Sequence, residues 1–381
     1  MLRRGWRFVV MIAVRPESMH PTDPNSSRKS IFLAAARGER PERVPVWIMR
    51  QAGRYLPGYR RIRERFSFLE VAKTPELAAE VSLEPYQRIG VDAIIVFSDI
   101  LIVAEAMGLP LEILDDGPKL GNPVRDRAAV EALREFEPAR ATRFVADAIR
   151  AICNEAGPDV PVLGFAAAPW TLACYMVEGR TRGELAIIKR MMYAEPELLR
   201  ELLGKIAHAT APYLKMQIAA GATAVQVFDT WAGELRLKDY EEFALPATQQ
   251  MISEIKAGDA PVIHYAKNCA HLLPALARTG ATVLSVDWRT DLAEARAKIG
   301  GRLALQGNVD PTVLLGTEEG IRNAVREAIG KTGGTGHILN LGHGILPQTP
   351  VENAQVFVNA AREFSQKPEK HAETVKATVR E

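Results

Sequence analysis

The chain has 381 residues, of which 47% are hydrophobic and 25% are charged, a composition typical of a globular protein with a sizeable core. Its 48 basic and 46 acidic side chains give a formal net charge of +2, so the basic excess of a nucleic-acid-binding protein is absent. The three cysteines are odd in number and lack C-x-x-C spacing, which excludes a disulfide framework or a zinc ribbon. We therefore expect a cytoplasmic protein without a nucleic-acid partner, in which any anion site comes from local clusters of arginine.

The N-terminus carries three arginines ahead of a short apolar run from Phe8 to Val14, a pattern that faintly resembles a signal peptide. However, Arg15 and Pro16 follow the run, and no A-x-A cleavage site is present. We expect residues 1–28 to form a disordered extension. Since no stretch reaches the 18 apolar residues of a membrane span, no membrane partner is predicted.

From residue 44 onward, short apolar runs alternate with longer helical patterns. Eight runs predict buried parallel strands, namely Val44–Met49, Ala93–Phe97, Val160–Phe165, Ala224–Phe228, Pro261–Tyr265, Val283–Val286, Leu303–Gln306 and His337–Leu341. Repeated strand–helix alternation favours right-handed crossovers, and eight units predict a single (β/α)8 TIM barrel over residues 29–366, followed by a charged tail over 367–381. The alternative is an open doubly wound sheet, but no glycine-rich fingerprint follows the first strand.

Helical patterns lie between these strands. The first begins at Thr74-Pro75, an N-cap followed by a proline at the first helical position. A long stretch is expected to divide into two helices near Glu195-Pro196. The predicted helical stretches are Pro75–Ile89, Glu184–Ala220, Leu237–Lys256, Ala270–Ala277, Leu292–Ile299, Glu318–Ile329 and Val351–Phe364.

Polar side chains recur where the predicted strands end, at Arg50, Asp99, Thr230, Lys267, Asp287, Asn308 and His343. In a barrel, the carboxyl ends of the strands build the active site. Polar loops explain one or two such residues, but the whole set indicates an enzyme.

The segment after the first strand contains Arg50 and Arg54, separated by Gln51, Ala52 and Gly53. The small residues let a substrate approach the backbone, and two guanidinium groups can clamp carboxylates with forked hydrogen bonds. This segment therefore predicts an anion-binding site.

Three further residues are candidates for chemistry. Asp99 lies between two apolar runs, so it is either a functional carboxylate or a helix N-cap, and its segment does not decide between the two. Tyr175 follows a run of small residues and is either a hydroxyl in a roomy pocket or a packed core residue. His343 lies between two glycines, which favours close approach of a ligand.

Several long motifs resemble uroporphyrinogen decarboxylases, in the same order along the chain. They are PVWIMRQAGRYLP at 45–57, FSDIL at 97–101, GFAAAPWTLACYMVEG at 164–179, LQGN at 305–308 and NLGHG at 340–344. The resemblance extends from about Ser30 to about Arg362. One departure is Thr230, where many members of the family carry serine, but the hydroxyl is retained.

The resemblance implies a (β/α)8 homodimer that needs neither metal nor cofactor. The implied reaction converts the four acetate side chains of uroporphyrinogen III, a tetrapyrrole, into methyl groups and gives coproporphyrinogen III. It also implies substrate-binding or catalytic roles for Arg50, Arg54, Asp99, Tyr175, Thr230 and His343. The proton donor remains open between Arg50, His343, Tyr175 and water.

Two alternatives have to be separated from this function. A zinc-dependent methyltransferase that acts on a corrinoid or thiol needs thiolate ligands, commonly an H-x-C pair, but His264 is followed by Tyr265 and Ala266. A tetrapyrrole carrier would use the same arginines without needing the chemistry of Asp99 or His343.

Overall fold

The computed structural model describes residues 27–114, 117–180, 184–255, 259–301 and 303–365. The predicted disordered extension and charged tail therefore lie almost entirely outside the described residues. Where the description begins, the Ser27 side chain caps helix α1 (Arg28–Ala36) by accepting the amide of Ser30 at 3.1 Å. Helix α1 thus begins at the last residue of the predicted extension.

The described residues form an α/β fold around a curled parallel sheet of seven strands, in the order β1-β4-β5-β6-β7-β8-β9. Almost every residue of these strands is buried, as expected for a parallel sheet covered by helices. The two remaining strands, β2 and β3, pair in a separate antiparallel hairpin. The strands are β1 (Ile94–Ile95), β2 (Leu111–Leu114), β3 (Gly117–Leu120), β4 (Val162–Ala167), β5 (Ala224–Asp229), β6 (Val262–Ala266), β7 (Val283–Val286), β8 (Ala304–Val309) and β9 (His337–Leu341).

The sheet has seven strands instead of the predicted eight, because the first predicted strand, Val44–Met49, forms a single parallel bridge from Val46 to Leu339. Pro45 has no N–H to donate to a ladder. Side chains take the places of strand partners, since Asp92 accepts the amide of Val46 at 2.9 Å and Asn340 accepts the amide of Met49 at 2.9 Å. A closed ring of eight strands is therefore not observed in the described part of the chain.

Segment 44–49 nevertheless lies between the two edges of the sheet. On one side its backbone exchanges hydrogen bonds with Leu339 of β9, and on the other Val46 accepts the amide of Asp92, just before β1. The Trp47 indole donates to Gln306 of β8 at 2.9 Å. These bonds fix the segment that carries Arg50 against the carboxyl ends of the strands.

Helices cover the outside of the sheet, and the predicted division at Pro196 is confirmed by two separate helices, α10 and α11. The helices are α1, α2 (Pro57–Arg63), α3 (Phe68–Lys73), α4 (Pro75–Arg88), α5 (Ile102–Ala106), α6 (Arg127–Glu131), α7 (Pro138–Ala141), α8 (Arg143–Ala156), α9 (Pro169–Glu178), α10 (Ala186–Ala194), α11 (Pro196–Ala219), α12 (Leu237–Asp239), α13 (Leu245–Ile255), α14 (Leu273–Leu276), α15 (Leu292–Lys298), α16 (Glu318–Thr332) and α17 (Val351–Ser365). No helix in the described ranges is long and apolar enough to cross a membrane.

Candidate active site

A cavity of about 320 Å³ opens at the carboxyl ends of β1, β4, β5 and β9. Its apolar wall includes Met49, Ile95, Val96, Phe97, Phe165 and Phe228. Its polar lining includes Arg50, Arg54, Ser98, Asp99, Thr230 and His343. Side chains from five separate parts of the sequence thus meet at the edge where barrel-like α/β enzymes place their active sites.

Arg50 occupies the left-handed backbone region, with φ of 60°. Two hydrogen bonds hold the turn, from the Gln51 amide to the Ile48 carbonyl at 2.9 Å and from the Ile345 amide to the Met49 carbonyl at 2.9 Å. The Arg50 side chain crosses Gly344 so closely that a Cβ there would collide with its methylene carbons. The glycine after His343 therefore makes room for the arginine.

Arg54 lies across the mouth of the same cavity, and its backbone carbonyl accepts a hydrogen bond from Arg60 at 3.0 Å. Both Arg50 and Arg54 are exposed. Within the described ranges neither is ion-paired with a carboxylate, in contrast to Arg43, which binds Asp92 at 2.6 Å. Two guanidinium groups are therefore available to an anionic ligand.

Asp99 combines the two interpretations that its sequence left open. Its Oδ1 accepts the Leu101 amide at 2.8 Å, a cap-like contact just before α5, while the side chain also lines the cavity. Burial raises the pKa of Asp99 above its ordinary value, although the Leu101 amide and the Arg50 charge oppose that rise. Asp99 is thus a carboxylate in a poorly solvated position, ready to accept hydrogen-bond donors from a ligand.

The surroundings of His343 favour the neutral form of its ring. Burial and the positive charges of Arg50, Lys267 and Arg289 lower its pKa to about 3. Its Nδ1 accepts the Gly344 amide at 2.7 Å, so the single ring proton of the neutral form resides on Nε2. The ring is tilted against Tyr265, with 6.1 Å between centroids.

Thr230 reaches the cavity directly after β5, beside Phe228. The ring of Phe228 contacts those of Phe165 at 5.6 Å and Tyr265 at 5.9 Å. Phe165, Phe228 and His343 line the cavity, and Tyr265 packs behind them. The cavity thus combines an aromatic wall with polar side chains, which suits a large ligand with both apolar and charged parts.

Two predicted site residues, Gln51 and Tyr175, do not line this cavity. Gln51 is completely buried, its Oε1 accepts the Ile48 amide, and its Nε2 donates to the Ala93 carbonyl, so it supports the Arg50 turn. Tyr175 lies partly buried in α9 and packs against Trp231, the neighbour of Thr230. Their predicted contact with substrate stays a prediction.

Lys267, named only as a strand-end residue, and Arg289 were not predicted to bind substrate or to act in catalysis. They follow β6 and β7, and both lower the pKa of His343. Arg289 binds the buried Asp287 at 2.7 Å and stacks on Trp288. In the sequence, these residues are recognisable only as cations that follow two consecutive strands. The fold shows that both act on His343.

The buried thiols have little thiolate character. Burial raises the pKa of Cys174 well above its ordinary value and that of Cys269 to about 12. No group of three or more His, Cys, Asp or Glu residues in the described parts of the chain is arranged to hold a metal ion. The ligand set required by the zinc methyltransferase alternative is therefore not found among these residues.

The fold and the arginine-rimmed cavity are those of an α/β enzyme, with a candidate anion-binding site at the carboxyl ends of parallel strands. The profile described as "Uroporphyrinogen decarboxylase (URO-D)" matches residues 27–364. The chain belongs to the uroporphyrinogen decarboxylase family.

Individual relatives agree with this assignment. The uroporphyrinogen decarboxylase of Gloeobacter violaceus is 44% identical over 340 residues, which cover 88% of this chain and 98% of the relative. That of Trichlorobacter lovleyi is 47% identical over 337 residues, covering 88% of this chain and 99% of the relative. The alignments thus include almost the whole of both relatives.

A solved structure titled "methyltransferase from Methanosarcina mazei" also resembles this chain, with a TM-score of 0.78 and 26% identity. The match covers 89% of this chain and 99% of that structure. The fold is therefore shared with a methyltransferase, while the higher sequence identity is to decarboxylases.

Proposed function

We propose that this enzyme decarboxylates the four acetate side chains of uroporphyrinogen III to methyl groups and releases coproporphyrinogen III. The observation that carries this function is Asp99, a carboxylate within an apolar cavity rimmed by Arg50 and Arg54. The named relatives support the same substrate.

The reduced, flexible macrocycle can direct its four pyrrole N–H groups toward one side. Asp99 can accept these donors because only its Oδ1 is engaged by a local amide, that of Leu101. A hydrogen-bonded carboxylate favours its charged form, so substrate binding would oppose the effect of burial on the Asp99 pKa. We therefore assign recognition of the macrocycle centre to Asp99.

The acetates and propionates at the macrocycle edge require positive or donating groups. Arg50 and Arg54 supply two such groups at the mouth, and the Nε2–H of neutral His343 supplies a third. Lys267 and Arg289 add positive potential on the His343 side. This arrangement favours a ligand with many peripheral carboxylates.

Loss of CO2 directly from an alkyl acetate would leave an unstabilised carbanion. Protonation of the adjacent pyrrole carbon makes the ring cationic, so that it can take up the electrons released by decarboxylation. Asp99 beneath the pyrrole nitrogens stabilises that cation, an effect worth about 3 kcal/mol for a well-placed group. The electron sink is thus the substrate itself, and the role of the protein is mainly electrostatic.

The first test is a discontinuous assay with purified full-length protein. It is incubated anaerobically with uroporphyrinogen III and EDTA, without added cofactor, and the oxidised products are separated by carboxyl number. Porphyrins with seven to four carboxyl groups are expected. Absence of these products from folded protein would contradict the decarboxylase function and leave the carrier or the methyltransferase.

The quaternary structure and location belong to the same proposal. A homodimer is implied by the family resemblance, and sedimentation velocity would reveal a monomer if that is wrong. A reducing cytoplasm suits three unpaired cysteines. The bonds that segment 44–49 makes to both sheet edges support a barrel-like arrangement of the family's kind.

A further inference from the structure

Thr171 lies outside the cavity lining, yet it contacts the turn that enters the cavity. It is the third residue of α9 and is completely buried. Its hydroxyl donates to Asp229 Oδ1 at 2.7 Å and accepts the amide of Trp231 at 3.1 Å. One hydroxyl thus holds the residues on both sides of Thr230.

The direction of these two hydrogen bonds is fixed by their partners. The Trp231 amide is a donor only, so the hydroxyl must accept from it. The single hydroxyl proton then goes to the Asp229 carboxylate. If the hydroxyl were removed, the Asp229 carboxylate and the Trp231 amide would each lose a hydrogen-bond partner. A methyl group of the same size could not replace it.

Other residues at the start of α9 contact the same turn. The Ala168 amide donates to the Phe228 carbonyl at 2.8 Å, and the Trp170 indole donates to the Trp231 carbonyl at 3.0 Å. Residues 228, 229 and 231 are therefore bound to α9, while Phe228 and Thr230 line the cavity.

The other carboxylate oxygen of Asp229 faces His264. Its Oδ2 lies 3.6 Å from Nε2 of His264, and both side chains are completely buried. A buried carboxylate of this kind cannot swing into solvent without disrupting its surroundings. The hydrogen bond from Thr171 to Asp229 therefore links the start of α9 to the last residue of β5.

We propose that Thr171 is a positioning residue for the reaction. It acts through Asp229 and Trp231 to fix Thr230 and Phe228 at the angle that the tetrapyrrole requires. This inference rests on the proposed function for its kinetic meaning, but the coupling of Thr171 to the turn is a property of the protein alone.

The test compares three single variants of the full-length enzyme. T171V removes both hydrogen bonds at nearly constant volume, whereas T171S retains them. T279V is a matched control, because Thr279 is also buried, donates to the Leu276 carbonyl at 2.8 Å and follows α14, outside the cavity lining. We expect kcat/KM to fall at least about tenfold in T171V and to stay within about twofold of wild type in T171S and T279V.

A double variant identifies the route of the effect. If Thr171 acts through the Thr230 turn, T171V should lower kcat/KM by less than about twofold in a Thr230→Ala background. If T171V lowered kcat/KM by the same factor in the Thr230→Ala background as in wild type, the proposal would be overturned. It would also be overturned if T171V lowered kcat/KM no more than T279V does at a similar drop in melting temperature.

Hydrogen exchange provides a readout that needs no turnover. The peptide that covers residues 228–232 should exchange faster in T171V than in wild type, T171S or T279V. Unchanged exchange in T171V would overturn the proposal. If exchange were faster in T171V as expected but the wild-type protein did not decarboxylate the substrate, the proposed function would fail. The coupling of Thr171 to the turn would still stand.

Discussion

Arg50 maintains a backbone conformation that residues other than glycine rarely adopt, with φ of 60°. Such a conformation costs about 1 kcal/mol and is commonly found where function requires a particular side-chain direction. The guanidinium of Arg50 is exposed and forms no ion pair within the described residues, so no such pair offsets this cost. Its orientation into the cavity is therefore best explained by ligand binding.

This strain predicts opposite effects on stability and activity for one substitution. Arg50→Gly should raise the free energy of unfolding by about 1 kcal/mol, because glycine accepts positive φ, while kcat/KM is largely lost. Arg50→Ala should lose activity similarly but keep the strain, and so leave the melting temperature unchanged. Thermal unfolding and steady-state kinetics check both variants. A glycine variant that melts below the alanine variant would refute the strain argument.

Asp99→Asn should fold normally, because the asparagine Oδ1 can still accept the Leu101 amide. Turnover should nevertheless fall by about 10²- to 10³-fold, since a neutral amide cannot stabilise a cationic pyrrole. Arg54→Ala serves as a comparison, in which we expect a raised KM at unchanged melting temperature. Near-wild-type kcat in Asp99→Asn would remove Asp99 from the mechanism.

The pKa of Asp99 also predicts a pH dependence. The reaction uses the carboxylate, and burial raises its pKa above the ordinary value of 3.8. Activity should therefore be lost as pH falls, with a midpoint above 3.8 rather than at it. The pH profile of kcat/KM, which reports the free enzyme, checks this, and a flat profile down to that pH would contradict it.

Among the elements, the strands β7 and β9 begin and end where the sequence predicts, at Val283–Val286 and His337–Leu341. Both are short apolar runs buried on both faces, the case in which local pattern and final environment agree. Val44–Met49 has the same apolar pattern but is not a strand, because distant side chains replace its ladder partners. No local pattern reveals such replacements.

The predicted helices omit α8, although every turn of Arg143–Ala156 places an apolar residue against the sheet. The hairpin of β2 and β3 was also missed, since its half-exposed residues show no clear alternation. Helix α8 and this hairpin contribute no residue to the cavity lining, so these two omissions do not affect the candidate site.

The buried carboxylate of Asp92 is one of the groups that hold segment 44–49 in place. Asp92 is completely buried, binds Arg43 through two hydrogen bonds of 2.6 and 2.7 Å and accepts the Val46 amide. Although burial raises its pKa, Arg43 and the nearby Arg362 hold the pKa of Asp92 below its ordinary value. The carboxylate thus links the segment to the start of β1.

Asp92→Asn should lower the free energy of unfolding by about 3 kcal/mol, because it leaves the largely buried Arg43 without its counter-charge. It should also raise KM, since the segment carries Arg50. Glu363→Gln is the control, because it breaks an exposed pair with Arg322 and should cost less than about 1 kcal/mol. Urea unfolding and kinetics provide the measurements. Equal losses in both variants would argue against the role of Asp92.

At the scale of the whole molecule, the site is assembled from the ends of β1, β4, β5 and β9 together with segment 44–49. The sequence predicts Arg50, Arg54, Asp99, Thr230 and His343 as site residues, and all five line the cavity. It could not separate Gln51, which supports the backbone, from its neighbours that face the ligand. It also could not show that Lys267 and Arg289 act on His343, since the fold brings the ends of distant strands together.

The pH dependence of stability depends on two histidines that are buried as neutral rings. Burial lowers the pKa of His337 to about 4, and burial with neighbouring cations lowers that of His343 to about 3, both from an ordinary value of 6.5. Below pH 6.5 the unfolded chain therefore takes up protons that the native state does not, and stability falls as pH falls. The loss from His337 ends near pH 4 and that from His343 near pH 3.

Between pH 6.5 and 5, the two histidines together should lower the free energy of unfolding by roughly 3 kcal/mol. Asp99, whose pKa is raised, acts in the opposite direction and reduces the net fall. His343→Asn removes one of the two contributions while keeping an acceptor for the Gly344 amide, so the fall should shrink by about half. Denaturant midpoints at both pH values check this for wild type and variant. An identical fall in the two proteins would show that His343 is protonated in the native state and would remove it as a neutral donor.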